Sequence, residues 1–431
     1  MDSLWQQTAE LPEFEPFRGN QKTDVLVIGG GLAGLLCAYM LNQAGIHCIL
    51  AEAARICSGI TKNTTAKITS QHGPIYHKLI NRFGKEKAKA YLTVNENAVR
   101  EYKKMCANIP CDFQHKDAFL YSADEAALEQ ELNALHHLGY SAEFVKKIPL
   151  PLEYAGAIRF KQQAQFHPLK FAAHIAQGLS IYENTPIREL RGCTAVTDNG
   201  RIRADKIIVA THFPFLNKHG MYFLKLYQQR SYVLALEQAQ DVDGMYIGSA
   251  KNSLSFRNYD NLLLLGGGGH RTGKQGGNWA ELKNFAQVHY PGARTAYLWA
   301  TQDCMTLDGL PYIGQYAKNT PDIYVTTGFN KWGMTNAMSG ALLLRDMILG
   351  KENESAEIFS PSRSMLHSQL MVNGLETTKN LLSFSQKRCP HLGCALKWNP
   401  QEHSWDCPCH GSRFTQEGKL IDNPATDDLK K

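Results

Sequence analysis

The chain has 431 residues, of which 43% are hydrophobic and only 20% are charged, and its formal net charge is +6. This length and composition predict two or three folded domains and exclude a mini-protein, a fibre or a generally disordered chain. The basic residues form no block of five or more, which argues against a nucleic-acid-binding protein.

We expect neither a secretory signal at the N-terminus nor a membrane-spanning segment. Residues 1–5 read MDSLW and lack a basic region followed by an apolar run. No stretch reaches the roughly 18 apolar residues that a membrane-spanning helix needs. The 11 cysteines are an odd number, which argues against a fully paired secreted framework. We therefore expect a soluble cytoplasmic protein.

The first motif in chain order is a glycine turn between a strand and a helix. Residues 23–28 are β-rich, residues 29–34 read GGGLAG, and a helical pattern covers 35–41. The next predicted strand, 47–51, ends at Glu52. A strand before the glycines, a helix after them and an acidic residue at the end of the following strand are the context of a dinucleotide-binding turn.

Each residue of this turn has a physical task. Gly29 permits the tight turn, Gly31 lets the backbone approach a pyrophosphate, and Gly34 lets helix and strand pack closely. The helix N-terminus offers unpaired N–H groups to the phosphates. Glu52 is predicted to accept hydrogen bonds from ribose hydroxyls, which disfavours a 2′-phosphate at that position.

The middle of the chain alternates between helical and β-rich patterns. Helices are predicted at 75–89, 123–138, 168–179 and 336–349, and strands at 195–200, 206–210 and 323–327. Residues 216–298 show alternating β pattern, which predicts an antiparallel sheet over the nucleotide domain.

A second glycine-rich segment resembles a phosphate loop only in part. Gly268 to Lys274 fits G-x-x-x-x-G-K, but Gln275 stands where a phosphate loop has the Ser or Thr that binds magnesium. We interpret residues 262–274 as a strand followed by a turn.

The C-terminal region contains a paired Cys/His pattern. Its spacing is C-x-H, fifteen residues, then C-x-x-H, with the ligand candidates Cys389, His391, Cys407 and His410. A Cys2His2 zinc finger groups its two Cys before its two His, whereas here each loop supplies one of each. This arrangement suits a two-iron cluster with both His on one iron. A zinc site and a knuckle held only by a disulfide are the alternatives.

Residues 1–350 resemble the D-amino-acid-oxidase-like family of FAD-dependent oxidoreductases. Beyond the glycine turn, the resemblance rests on DGLPYIG at 308–314, TGFNKWGMT at 327–335, the Thr-rich loop at 59–69, and the segments 184–187 and 204–212. It implies an α/β FAD-binding Rossmann-like domain with an antiparallel-sheet substrate domain. Its FAD-binding parts are about 20–80, 150–215 and 298–350, and its substrate-side part is about 216–298. The FAD-binding residues that it implies are Thr64, Thr65, Ile187, Ala210, Gly328, Gly333, Met334 and Thr335.

The residues Gly333, Met334 and Thr335 also have a direct physical interpretation. They open a predicted helix, so its free N–H groups and dipole can face the pyrimidine side of a flavin ring. Negative charge collects there on reduction, and the helix end stabilises it.

The Cys/His pattern resembles a small all-β Rieske 2Fe-2S domain, with 366–431 as the domain and 351–365 as a polar linker. The resemblance implies that Cys389, His391, Cys407 and His410 are the ligands and that Cys394 and Cys409 form the disulfide between the two loops. Two imidazole ligands raise the reduction potential to about −150 to +300 mV, so the cluster can accept electrons from a reduced flavin. The base subdomain looks abridged, and we expect the domain to depend on docking against the flavin domain.

Together the two resemblances imply a flavin dehydrogenase with a one-electron outlet. A small amine or amino acid is oxidised at the carbon next to nitrogen, and electrons pass from FAD to the cluster. They then leave through the edge of His391 or His410 to an acceptor protein or a quinone-like carrier. The alternatives are an NAD(P)H-driven electron-transfer protein, which lacks a second dinucleotide turn here, and a non-catalytic redox sensor.

The sequence identifies the substrate-binding residues less specifically than the cofactor-binding residues. Arg230 and Arg257 lie in the β-rich segment, where the family has a carboxylate-binding arginine, and a surface ion pair is the alternative for each. Lys331, next to the flavin segment, is predicted to orient a water or the substrate. Cys304 lies near where some relatives attach flavin covalently. We expect noncovalent FAD.

Overall fold

The computed structural model describes residues 2–216, 219–250, 253–385 and 387–430. The strands within these ranges are β1 Gly19–Ile28, β2 Cys48–Ala51, β3 Lys67–Ile68, β4 Gln114–Ser122, β5 Glu143–Val145, β6 Gly156–Gln165, β7 Ser180–Tyr182, β8 Glu189–Arg191, β9 Thr194–Thr197, β10 Gly200–Val209, β11 Leu226–Glu237, β12 Met245–Gly248, β13 Ser255–Tyr259, β14 Leu262–Arg271, β15 Arg294–Thr306, β16 Tyr312–Gln315, β17 Ile323–Thr327, β18 Lys397–Asn399, β19 Ser404–Asp406, β20 Arg413–Thr415 and β21 Leu420–Asp422. The α-helices are α1 Leu4–Gln7, α2 Leu32–Gln43, α3 Tyr76–Phe83, α4 Lys85–Cys106, α5 Glu125–His137, α6 Pro168–Ile175, α7 Tyr222–Lys225, α8 Asn278–His289, α9 Gly333–Ile348, α10 Ala356–Phe359 and α11 Ser368–Leu382.

The first sheet is the nucleotide-binding sheet. Its order is β16-β17-β10-β1-β2-β7, with β9 beside β10 and β8 beside β9. β1 lies between β2 and β10 and is parallel to both. The carboxyl ends of these strands therefore meet at one edge, where the glycine turn leads from β1 into α2. The predicted strands at 23–28, 47–51 and 323–327 are confirmed.

The second sheet covers the nucleotide-binding edge. Its order is β15-β11-β14-β13-β12-β4-β6-β3, with β5 beside β6, and β12 with β4 is its parallel pair among the described strands. The antiparallel pattern predicted for 216–298 is confirmed. The sheet also takes β6 and β15, whose residues were assigned to the nucleotide-binding parts. Buried Gln163 and Gln165 hide the apolar alternation of β6.

The helix predicted at 75–89 is two helices. α3 ends at Phe83 and α4 begins at Lys85. Gly84 between them has a φ of 82°, which breaks the helix because glycine alone adopts this conformation at little cost. The predicted helices at 123–138 and 168–179 correspond to α5 and α6.

The segment that partly resembles a phosphate loop is a strand followed by a turn, as predicted. β14 ends at Arg271, and α8 begins only at Asn278. A Cβ on Gly273 would come within 2.7 Å of the Pro408 nitrogen. This glycine-rich turn therefore packs against the C-terminal region instead of forming a phosphate cradle.

The C-terminal region consists of α11 and a four-stranded antiparallel sheet, β18-β19-β20-β21. The segment predicted as a polar linker is anchored to the flavin part. Ile358 and Phe359 are buried in the main core, and the Arg363 Nε lies 2.6 Å from the Asp308 Oδ2. Over the described residues, no helix has the length and apolarity needed to cross a membrane.

Candidate cofactor sites

A cavity of about 820 Å³ lies at the carboxyl edge of β1. Most residues predicted to bind FAD line it: Gly29, Gly31, Glu52, Thr64, Thr65, Ile187, Ala210, Gly328, Gly333 and Met334. They come from segments spread over more than 300 positions, and the topology brings them to one edge. The residue types present fit an elongated dinucleotide.

The three glycines of the turn have different surroundings. A Cβ on Gly29 would meet the Ala210 carbonyl oxygen at 2.7 Å, and one on Gly34 would meet the Gly29 carbonyl oxygen at 1.9 Å. These two glycines permit close backbone packing. Among the described atoms, a Cβ on Gly31 would meet only the Thr61 Oγ1, at 3.5 Å, which is ordinary van der Waals contact. The space over Gly31 is open to the cavity, as close approach of a pyrophosphate requires.

Glu52 lies at the end of β2 on the cavity wall. Its Oε2 accepts from the Gly30 N–H at 2.6 Å, and its Oε1 accepts from the Ala54 N–H at 2.9 Å. Burial raises the pKa of Glu52, while these two N–H groups oppose the shift. The two bonds fix the carboxylate, and each oxygen keeps acceptor capacity for a hydroxyl.

The N-terminus of α9 faces the cavity through Gly333 and Met334. Thr335 does not line the cavity: its hydroxyl donates to the Thr69 carbonyl at 3.1 Å and lies 2.9 Å from the His72 Nε2. Thr335 therefore anchors the helix end to the loop after β3. The His72 ring stacks on Trp332 with a centroid distance of 4.7 Å, which holds the same helix end.

The ionisable side chains that line the cavity include those of Lys67 in β3, Asp303 in β15 and Lys331 just before α9. Burial raises the pKa of Asp303, and the positive charge of Lys331 partly offsets this. Burial lowers the pKa of Lys331, opposed by Asp303. The side chain of Lys331 is exposed and lines the cavity. Burial lowers the pKa of Lys67 to about 7, and Arg257 contributes to the shift.

The two arginines predicted to bind a substrate carboxylate have protein partners instead. Arg230 is 3% exposed, and its Nε donates to the Glu402 Oε1 at 3.0 Å. The Nη1 of Arg257 donates to the carbonyls of Thr65 and Ala66 at 2.8 and 2.9 Å. Neither arginine is among the described residues that line the cavity. Arg230 joins two domains, and Arg257 supports the Thr-rich loop.

Cys304 is also removed from the cavity wall. Its sulfur is buried and lies 3.9 Å from the Thr327 Oγ1, and burial raises its pKa to about 12. A thiol that stays protonated is a poor nucleophile. These surroundings favour noncovalent FAD.

The four predicted cluster ligands come together on two loops. The thiols of Cys389 and Cys407 contact each other, and the rings of His391 and His410 have centroids 5.0 Å apart. Both ring nitrogens of His410 are buried without a hydrogen bond of good geometry in the described structure. A buried imidazole without a well-formed hydrogen bond at either ring nitrogen fits a metal ligand.

Hydrogen-bond donors surround the ligand sulfurs. The backbone N–H groups of His391 and Leu392 and the hydroxyl of Ser412 approach the sulfur of Cys389. The N–H groups of Cys409 and His410 approach the sulfur of Cys407. Such donors stabilise thiolates and tune a cluster's reduction potential. An iron-sulfur cluster needs such donors, whereas a knuckle held only by a disulfide does not need them.

Cys394 and Cys409 form the predicted disulfide, with a Cα–Cα distance of 6.7 Å. Their sulfurs and the Cys407 sulfur all lie within 4.8 Å of one another. The bond joins the two ligand loops, so it fixes their relative position.

The ligand edge of the cluster site faces the flavin part. His410 is 1% exposed. The Phe213 ring lies 6.2 Å from the His391 ring and 6.1 Å from the His410 ring, and Phe223 lies 6.3 Å from the His410 ring. His410 therefore does not offer the predicted exit edge to an external acceptor. Its ring packs against Phe213, which lies between the cavity-lining residues His212 and Phe215.

The interface between the flavin part and the C-terminal region contains buried polar residues that the sequence does not reveal. Gln228 and Gln302 are buried polar residues on β11 and β15, and Glu402 precedes β19. Residues 420–423 and 425–427 of the C-terminal region line the same cavity as the glycine turn. No spacing pattern marks these positions, because the partners of Gln228, Gln302 and Glu402 across the interface lie more than 100 residues away in the chain.

Comparison with known proteins agrees with both sites. The model of the FAD dependent oxidoreductase family matches residues 24–347, and that of the Rieske [2Fe-2S] domain matches residues 356–431. A putative Rieske 2Fe-2S iron-sulfur protein, YhfW of Bacillus subtilis, is 33% identical over all of this chain and 97% of its own length.

More distant relatives share the flavin part. Gamma-glutamylputrescine oxidoreductase of Escherichia coli is 22% identical over 82% of this chain and 89% of its own length. The crystal structure of L-proline dehydrogenase from P. horikoshii superposes with a TM-score of 0.68 at 18% identity, over 80% of this chain and 98% of that one. The FAD-binding cavity, the paired cluster loops and these matches give one conclusion: the chain belongs to the FAD-dependent oxidoreductase family and carries a C-terminal Rieske 2Fe-2S domain.

Proposed function

We propose that the protein is a dehydrogenase that oxidises a small amine or amino acid at the carbon bearing nitrogen and passes the electrons singly to the cluster. The observation that carries the proposal is the contact of the His410 ring with Phe213, which lies between the cavity-lining residues His212 and Phe215. FAD accepts two electrons from a C–H bond, and the cluster accepts them one at a time. The distant relatives named for an amine derivative and an amino acid support this substrate class.

The chain's own residues suit such a substrate. Asp303 places a carboxylate on the cavity wall that attracts a protonated amine, and Lys331 beside it has a lowered pKa and can take up the proton that the amine must lose. Lys67 supplies a cation for a carboxylate, with its Nζ 3.3 Å from the Thr65 Oγ1 and 3.5 Å from the Ser255 Oγ. In this proposal Lys67 takes the part first predicted for Arg230 and Arg257.

The reaction balances as follows. The protonated amine loses one proton from nitrogen and a hydride from carbon, giving an iminium ion, two electrons and two protons in total. The electrons pass one at a time to an external acceptor, a quinone or a redox protein, and the protons go to solvent. Water hydrolyses the iminium ion to a carbonyl compound and an ammonium ion or a protonated amine.

An anaerobic screen of amines, amino acids and NAD(P)H tests the proposal. We expect one class of amine or amino acid to bleach the flavin and then to produce the EPR signal of the reduced cluster. Rapid bleaching by NADH alone would replace the proposal with an NAD(P)H-driven electron-transfer protein. Bleaching by an amine without a cluster signal would remove the cluster from the route and favour direct reaction with oxygen.

A further inference from the structure

A hydrogen-bonded chain of side chains joins the FAD cavity to the cluster loop. His212 lines the cavity, and its Nε2 donates to the Gln228 Oε1 at 3.1 Å. The Gln228 Nε2 donates to the carbonyl of His410, a predicted cluster ligand, at 2.9 Å. Burial lowers the pKa of His212, so a neutral ring with its proton on Nε2 fits this chain.

The side-chain amide of Gln228 uses all of its hydrogen-bonding positions. Its Nε2 donates to two carbonyls, those of His410 and Asn423, each at 2.9 Å. Its Oε1 accepts from His212 and from the Gln302 Nε2, the latter at 2.9 Å. An amide has two donor and two acceptor positions, and all four are used in a side chain that is 1% exposed. A fully satisfied buried network defines one arrangement, because every alternative leaves a buried polar group unpaired.

Gln302 supports this arrangement from the neighbouring strand. Its Nε2 also donates to the Gly411 carbonyl at 2.9 Å, and its Oε1 accepts from the Thr272 hydroxyl at 2.9 Å. Two amides from β11 and β15 thus hold consecutive carbonyls of the second cluster loop. The loop fits closely here, since a Cβ on Gly411 would come within 2.6 Å of the Gln228 Cβ.

We propose that Gln228 is the positioning residue for electron transfer between FAD and the cluster, with Gln302 as its support. Gln228 holds the His410 loop against the cavity wall and gives the electron a bonded route through His212 and the His410 backbone. The inference rests on the proposed function, since it requires electrons to pass between the two centres. One electron leaves the reduced flavin and reduces one ferric iron to ferrous iron. The second follows after the external acceptor, a quinone or a redox protein, has reoxidised the cluster.

Flash photoreduction of the anaerobic holoprotein tests the proposal without a substrate. Light-generated reduced 5-deazariboflavin reduces the flavin, and absorbance then follows electron passage to the cluster. Cys389→Ser, which lacks a cluster ligand, supplies the signal of the flavin alone. Iron, sulfide and flavin contents and the cluster EPR spectrum are measured first for every variant.

We expect Gln228→Leu to retain the cluster and its EPR spectrum. Its electron-transfer rate should fall by up to about tenfold, because the carbonyls of His410 and Asn423 lose their donor. Gln302→Leu keeps the His212–Gln228–His410 chain, so its rate should fall between those of Gln228→Leu and the native protein. Gln229→Leu, one position along the same strand with its side chain on the other face, is the matched control and should be unchanged.

Three outcomes would overturn the inference: a native rate in Gln228→Leu, a slower rate in Gln302→Leu than in Gln228→Leu, or loss of the cluster from Gln228→Leu, which would make Gln228 a residue for cluster assembly. The native protein separates this inference from the proposed function. If the native protein passes no electron from flavin to cluster, the proposed function fails. If it does and Gln228→Leu matches it, only the role of Gln228 fails.

Discussion

The FAD cavity and the cluster site are built in opposite ways. The parts of the cavity that suit a dinucleotide are backbone, from a glycine turn near residue 30 to a helix end near residue 335. The cluster ligands are side chains within 22 consecutive residues, from Cys389 to His410. A site made of backbone tolerates many side chains around it, whereas a site made of ligands depends on a few. The first needs the whole fold, and the second needs two loops held at the right distance.

The two parts also differ in what stabilises them. The flavin part has an extended apolar core, whereas the fully buried apolar cluster of the C-terminal sheet has seven residues, four of which are cysteines. Small domains with little core rely on disulfides, metals or docking. Here the docking is polar: the Glu402 carboxylate accepts from Arg413 at 2.8 Å and from Tyr232 at 3.0 Å, in addition to Arg230.

Arg230→Leu is the most direct way to break this docking. It leaves Glu402 buried beside one arginine instead of two, and breaking a buried ion pair costs about 3–5 kcal/mol. We expect that loss in the free energy of unfolding of the Rieske part, measured by bleaching of the cluster in urea. Arg294→Leu is the control, because its pair with Glu237 in the same sheet is 71% and 44% exposed and is worth about 1 kcal/mol or less. Equal losses in the two variants would contradict polar docking.

The same pair predicts the acid stability of the docking. Burial alone would raise the pKa of Glu402, but Arg230 and Arg413 lower it to about 2 from its usual value of 4.5. A depressed carboxyl pKa contributes stability that is present above pH 4.5 and is lost as the pH falls toward 2. In Arg230→Leu this acid-dependent loss should be smaller, and urea titrations between pH 5 and 3 measure it.

The sequence predicted some residues of the two sites better than others, because some depend on local spacing and others on contacts between distant parts of the chain. Gly29, Gly34 and the ligands Cys389 to His410 could be predicted, since local spacing sets their geometry. The division of the chain between the two sheets was less clear. β6 hides its alternation behind the buried Gln163 and Gln165, and Gly84 divides a helical pattern that reads as continuous.

The substrate and interface residues were the hardest to predict. Arg230 and Arg257 have the residue type of carboxylate-binding groups, but their partners are decided by folding. Glu402 lies 172 positions from Arg230 in the chain, and Thr65 lies 192 from Arg257. No local pattern encodes such pairs. The same reason hides Gln228, whose role depends on the docked position of the cluster loop.

The docked loop also closes the cavity, which Asn423→Ala should reveal. Its Nδ2 donates to the carbonyls of Thr211 and Phe213, the latter at 3.0 Å, and the residues around it line the cavity beside Ile187. Loss of these two bonds should speed the release of FAD about tenfold. Recovery of flavin fluorescence after dilution measures the rate. Asn199→Ala, which is not among the described residues that line the cavity, is the control, and an unchanged rate in Asn423→Ala would show that the loop does not retain FAD.

Lys67 allows a pH-dependent test of how the cavity binds a substrate carboxylate. Because its pKa is lowered to about 7, it is charged below pH 7 and about nine-tenths neutral by pH 8. We expect the KM of an amino acid to rise about fivefold between pH 7 and 8 relative to that of the matching amine without a carboxylate. Lys67→Met should abolish this difference by raising the KM of the amino acid alone at pH 6.5. Parallel pH profiles for the two substrates in the native protein would remove Lys67 from carboxylate binding.

The smallest expected effect is a shift in the cluster's reduction potential on substitution of Ser412, whose hydroxyl lies at the sulfur of the ligand Cys389. Its Oγ accepts from the Ala425 N–H at 3.0 Å, which leaves the hydroxyl proton free to donate to the Cys389 sulfur. Negative charge on that sulfur grows when the cluster is reduced, so the bond stabilises the reduced state more than the oxidised one. Ser412→Ala should lower the potential by about 40 mV, which corresponds to about 1 kcal/mol for one electron. Ser404→Ala removes a buried hydroxyl bonded to Asp406 and should leave the potential unchanged in the same EPR-monitored titration. A common shift in both variants would mean that loosening of the small sheet, rather than the bond to sulfur, sets the potential.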